Sequence, residues 1–102
     1  MDDATLAKAV EELEKKVADM DAFGSTVKFD FDGEGAITVD GNSAPPKVSQ
    51  GGGDADCTIT ANEETFREMM DGDLDPTAAY MTGKISIDGD MSAAMTMARV
   101  LG

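Results

Sequence analysis

The sequence predicts an α+β fold, an open sheet of five strands with helices laid on one face. Three observations carry that prediction. Apolar residues recur at steps of three and four near both ends of the chain. They alternate strictly with polar ones in between, which gives most strands one wet face. Glycine-rich turns punctuate the alternating stretches. With 102 residues the chain is read as one domain, residues 1–102, with a modest core.

The first helix is amphipathic. Leu6, Val10, Leu13, Val17 and Met20 share a face, while Glu11 with Lys15 and Glu12 with Lys16 form pairs four apart in the favourable order. Asp2 and Asp3 suit its N-terminus, and Gly24 is expected to end it. A meander follows. Val27, Phe29 and Phe31 alternate with Lys28, Asp30 and Asp32, then Ile37 and Val39 with Thr38 and Asp40. Turns at Asp32–Gly35 and Asp40–Asn42 join these strands. The stretch from Pro45 to Gln50 reads as a weaker strand that its prolines place at a sheet edge.

Gly51–Gly53 breaks the chain before a fourth strand, Asp56–Thr60, in which Cys57 and Ile59 share a face. Asn62 caps a helix whose stripe is Phe66, Met69 and Met70, and Gly72 closes it. Asp75-Pro76 opens a short helix carrying Ala78, Ala79, Tyr80 and Met81. Ile85 and Ile87 mark a fifth strand, and Asp90 caps the closing helix. The expected order is α-β-β-β-β-α-α-β-α.

That last helix carries the functional signal. Six of the eight methionines fall between Met69 and Met97. Within Met91–Leu101 the only polar residues are Ser92, Thr96 and Arg99, one thin stripe at helical spacing. Its apolar surface exceeds what one sheet needs to cover. A core helix buried all round is one reading; a helix with one side on the fold and the other on an apolar ligand or partner is the second. Methionine suits the second because its unbranched side chain repacks around guests of varied shape. Met81 and Met69 or Met70 are expected in the same layer, facing the dry side of the sheet.

Composition removes several classes of function. A net charge of −13 repels nucleic-acid phosphates and anionic lipid headgroups. The absence of histidine removes Ser–His and Cys–His nucleophile pairs. One cysteine, Cys57, allows no internal disulfide and reads as a buried structural thiol in a reducing, cytoplasmic setting. No apolar run approaches the ~20 residues of a membrane span. The run Asp30-Phe31-Asp32-Gly33-Glu34-Gly35 resembles the first half of a calcium loop. Gly41 stands where such a loop needs its bidentate Glu, so turn chemistry is the preferred reading and metal binding the distant alternative. Neither glycine run has the spacing of a phosphate cradle.

From Ala55 onward the chain resembles the sterol carrier protein type 2 domain. The motifs that carry this are Ala55–Thr60, Phe66 with Met70 before Gly72, Asp75-Pro76 through Ala79, and Gly83-Lys84-Ile85-Ser86-Ile87-Asp88-Gly89-Asp90-Met91. They cover nearly half the chain, and the N-terminal half agrees in element order. The resemblance implies a mixed five-stranded sheet, helices on one face and an apolar tunnel between them. It also implies binding of sterol, fatty acid or acyl-CoA type lipids, with no catalytic residues and no cofactor.

Carried onto matching positions, Phe66, Met70, Met81, Ile85, Ile87, Met91 and Met95 would form the tunnel wall or the core beside it. Leu13, Val17, Phe29 and Phe31 would complete the enclosure. Longer members continue past the position of Gly102 with a segment that covers the tunnel, and several carry Gln at the position of Ala98. Here a more open and wholly apolar tunnel is expected. The acidic surface suits carriage better than transfer between anionic membranes. Pairing of the last helix with a second copy or a larger protein is the alternative use of its surplus apolar face.

Overall fold

Five short alternating segments build the frame, because each has one set of side chains that must leave water. The computed structural model describes residues 2–101. Its elements are α1 (Asp3–Val17), β1 (Thr26–Asp30), β2 (Ala36–Asp40), β3 (Lys47–Gln50), β4 (Cys57–Thr60), α2 (Glu63–Met70), α3 (Pro76–Met81), β5 (Ser86–Gly89) and α4 (Met91–Leu101). The strands form one mixed sheet in the order β3-β2-β1-β4-β5. β1 runs parallel to β4, and the other neighbours are antiparallel. The order of elements is the one the sequence predicts, and β3 lies at an edge.

Register brings the dry side chains into rows. Ile37, Phe29, Ile59 and Ile87 lie side by side across four strands, and Val48, Val39, Val27 and Cys57 form the next row. The helices cover these rows from one side. α1 packs on β2 and β3, whereas α4 packs on β1, β4 and β5 and touches α1 and α3. The opposite face carries Thr26, Lys28, Asp30, Thr38, Thr58 and Thr60, none of them fully buried.

Caps fix the helix starts. Asp2 accepts from the Thr5 N–H at 2.8 Å, Asn62 from that of Thr65 at 2.8 Å, and Asp75 from that of Thr77 at 2.9 Å. Asp90 does the same for α4, accepting from Ser92 at 2.9 Å and Ala93 at 3.4 Å. Each bond satisfies an N–H that the first helical turn leaves without a partner. Asp90→Ala is therefore expected to lower stability by about 1 kcal/mol in urea unfolding, and Asp90→Asn, which keeps the acceptor, by much less.

The boundaries depart from expectation at one end. α1 stops at Val17, and Gly24 with its φ of +75° lies in the loop beyond it. Asp19 and Asp21 explain the early stop, since carboxylates are unfavourable where helix carbonyls gather partial negative charge. Gly89 has a more demanding role. Its φ is +107°, and a Cβ there would run into the carbonyl oxygen of Asp56. The same carbonyl accepts from the Asp90 N–H at 2.8 Å, so close approach of two backbones sets where α4 begins.

Titrating groups give the fold a pH signature. Hydrogen bonds from Thr5 hold the Asp2 carboxyl below its ordinary 3.8, and those from Asn42 do the same for Asp40. Groups lowered on folding contribute stability above pH 3.8 that is lost as pH falls through their folded pKa. Cys57 behaves oppositely. Burial, then the charges of Asp90 and Asp88, push its thiol above the ordinary 9.0. Its contribution is complete below pH 9.0 and is lost as pH rises through the folded value. Urea unfolding of the wild type is thus expected to weaken above pH 9.0 more steeply than that of Cys57→Ala.

A candidate apolar ligand cleft

α4 has two apolar faces, and only one of them is used by the fold. Ala93, Ala94, Met97 and Leu101 are buried. Met91 and Met95 lie one to two positions round the helix from that set and stand 45% and 57% exposed. The second side of the helix opens onto a cleft.

Its floor is Ile59 of β4, Ile87 of β5 and Ile85, which the structure leaves just ahead of β5, and Met69 closes the inner end from α2. α3 supplies one wall through Pro76, Thr77 and Tyr80. α4 supplies the other through Met91, Ala94, Met95, Ala98 and Leu101. The cavity proper measures about 60 Å³, set within about 470 Å³ of empty space that includes its opening to solvent. Not one lining side chain is charged.

The expected site residues divide between this cleft and the core. Ile85, Ile87, Met91 and Met95 line the cleft. Leu13, Val17, Phe29 and Phe31 are buried and take no part in it. Phe66 packs edge-on against Phe29 and Phe31, with ring centroids at 5.4 and 4.9 Å, as core. Phe66 and Met70 also border a smaller recess between α1 and α2, where Lys8, Glu12, Glu63 and Arg67 bring charge.

Met81 corrects an expectation. It is 79% exposed and outside the cleft, and so does not belong to the layer facing the sheet. α3 is a helix of six residues that buries Pro76 and Ala79. Two positions beyond Ala79, the helix has turned about 200°, and Met81 points away. Met69, fully buried, does belong to the layer.

Several cleft residues were absent from the expected set: Ile59, Pro76, Thr77, Tyr80, Ala94, Ala98 and Leu101. Spacing held the signal for most of them. Positions 91, 94, 95, 98 and 101 fall on one helical stripe, and so do 76, 77 and 80. The alanines escape notice because small side chains make the space rather than fill it.

The other candidate chemistry is quiet. In the Asp30–Gly35 turn, Asp30 accepts from the Gly33 N–H at 3.1 Å, which is turn chemistry. Among the described residues no three Asp, Glu or Cys side chains converge as a metal site. Cys57 is buried and unpaired. Among the described residues no helix is long and apolar enough to cross a membrane.

Comparison with known proteins meets this geometry from two directions. In sequence, the chain is 36% identical over 61 residues to hydroxysteroid dehydrogenase-like protein 2 of Danio rerio, a match covering 60% of this chain and 13% of that protein. It is 42% identical over 43 residues to human sterol carrier protein 2, covering 42% of this chain and 8% of that one. The chain thus spans a small fraction of the curated relatives it matches. In structure, it superposes on palmitated SCP2L2 from Aedes aegypti with a TM-score of 0.76 at 22% identity, covering 99% of this chain and 95% of that one. The model of the SCP-2 sterol transfer family matches residues 2–102, and the chain, with its mixed sheet and one-sided helices, belongs to that family.

Proposed function

We propose that this protein is a non-catalytic lipid-binding domain that holds an apolar ligand between α3, α4 and the β4–β5 side of the sheet. The observation that carries the reading is the unused apolar face of α4, which walls an uncharged cleft. Apolar sites that take small molecules commonly offer about 300–1,000 Å³, and the cleft as it stands encloses only about 60 Å³. Its enclosed part is too small for a lipid chain, so Met91, Met95 and Tyr80 have to swing outward as one enters. Methionine makes that inexpensive, and a surface that adapts favours a range of guests over one tightly read ligand.

The tunnel implied by the family would correspond to this cleft in its occupied form. Family membership and the palmitate named with the Aedes aegypti neighbour support a lipid as the guest. The acidic chain suits cytoplasmic carriage better than docking on anionic membranes. Native mass spectrometry of protein purified from its own host is expected to show a lipid adduct. An unliganded mass, together with no binding of an uncharged fluorescent sterol, would refute the reading.

A second use of the same surface follows from its exposure. Tyr80, Met91 and Met95 are exposed along the cleft, and two copies could cover them mutually. Sedimentation separates the two readings: a monomer at micromolar concentration leaves the ligand as the occupant.

A further inference from the structure

The methionine sulfurs differ sharply in their access to solvent, and two of the accessible ones stand in the cleft wall. Met69 and Met97 are fully buried and Met70 nearly so, while Met20 is half-buried and outside the cleft. Met81, Met91 and Met95 are exposed. Met91 and Met95 lie four positions apart on α4, side by side on the face that lines the cleft. Met81 lies outside it.

Access decides where an oxidant reaches sulfur. The thioether lone pair attacks one oxygen of hydrogen peroxide, the O–O bond breaks, and the second oxygen leaves as water. Sulfur gives two electrons to the peroxide and keeps the transferred oxygen as a sulfoxide. A thiolate would compete, but the one cysteine, Cys57, is buried in β4. Burial, with the charges of Asp90 and Asp88, also holds its thiol protonated. The exposed methionines are left as the targets.

The consequence depends on where the oxygen lands. The cleft lining carries no charged side chain, and its only polar side-chain groups are the Thr77 and Tyr80 hydroxyls on the α3 wall. A sulfoxide at Met91 or Met95 puts a strong acceptor into the surface that an apolar guest must cover, and the guest strips it of water. A flexible apolar side chain becomes a polar one and no longer repacks around such a guest. At Met81 the same oxygen stays in water.

From this coincidence we infer that Met91 and Met95 form a paired oxidation site, through which a hydroperoxide lowers the affinity of the cleft and releases its guest. The inference rests on the lipid-binding reading and adds a control to it. Thiol-dependent sulfoxide reductases reset the site: the oxygen leaves as water while two thiols join in a disulfide.

Mild treatment of the folded protein with hydrogen peroxide, followed by peptide mass mapping, is expected to place sulfoxide on Met81, Met91 and Met95 well before Met69 and Met97. Calorimetric titration with decanol, an apolar chain that dilute peroxide leaves intact, reads the effect on binding. Affinity should fall by about tenfold or more on oxidation and return after treatment with the two epimer-specific sulfoxide reductases. The circular dichroism spectrum should stay unchanged throughout. Two variants locate the effect. Met81→Leu should lose as much affinity on oxidation as the wild type. Met91→Leu combined with Met95→Leu, whatever its starting affinity, should bind equally before and after peroxide. Oxidised wild type that binds decanol as before, or that unfolds, would overturn the inference, as would a double variant that loses as much as the wild type; the lipid-binding reading would stand. Absence of heat with the untreated protein would instead remove the lipid-binding reading, and the oxidation site with it.

Discussion

Truncating Phe66 to alanine is expected to lower the unfolding free energy by about 3–5 kcal/mol. The side chain is 3% exposed and lies edge-on between Phe29 and Phe31. Removing it forfeits burial, leaves a cavity, and cancels two aromatic contacts worth about 0.5–1.5 kcal/mol each beyond their area. A domain of this size has roughly 5–15 kcal/mol in total, so the variant should sit near the edge of folding. Urea denaturation followed by circular dichroism measures this directly. Phe66→Leu, which fills most of the volume, should recover much of the loss. A loss below about 1 kcal/mol for Phe66→Ala would mean that α2 is not held to the sheet by this ring.

The same residue shows where a family pattern and a structure part ways. Matching motifs place Phe66 beside a lipid site, and its neighbours in space are indeed those of the sheet's dry face. What a motif does not say is which side of that layer is sealed. Phe66 of α2 seals against Phe29 and Phe31, whereas α3 and α4 leave the β4–β5 side open. Substitutions at Leu13, Phe29 or Phe66 thus report on stability first. Those at Met91, Met95 or Ala98 report on the cleft.

Much of this was legible because local chemistry and global need agree. Alternation in Val27-Lys28-Phe29-Asp30 and the caps at Asn62, Asp75 and Asp90 each point to one local structure, and the tertiary fold asks for that structure. The surplus apolar face of α4 was visible for the same reason. Helical period alone separates Ala93 and Met97 from Met91 and Met95. Less legible were the facts that depend on distant partners. No residue in β1 announces that β4, some thirty positions away, will pair with it in parallel. Met81 has the composition of a wall residue, but its phase on a six-residue helix turns it outward. Space itself has no letter in the sequence. Ala94 and Ala98 make the cleft by being small, and reading them required knowing what stands opposite.

Ala98 provides the sharpest separation of site from fold. It is partly exposed, lines the cleft, and lies one turn from Ala94 and Met95 on the open side of α4. Ala98→Trp is expected to place an indole in the space a ligand would occupy. Because the side chains that must make room, Met91, Met95 and Tyr80, stand exposed and can swing outward, stability should change by no more than about 1 kcal/mol. Decanol affinity, by contrast, should fall by about tenfold or more, since the apolar area that a ligand would cover is covered already. Met81→Ala is the matched control, because it removes as exposed an apolar side chain from outside the cleft and should leave binding unchanged. If Ala98→Trp folds and still binds with wild-type affinity, the ligand sits elsewhere. The charged recess between α1 and α2 would then be the next place to look, and substitutions at Lys8 and Arg67 would shift binding there but not in the α3–α4 cleft.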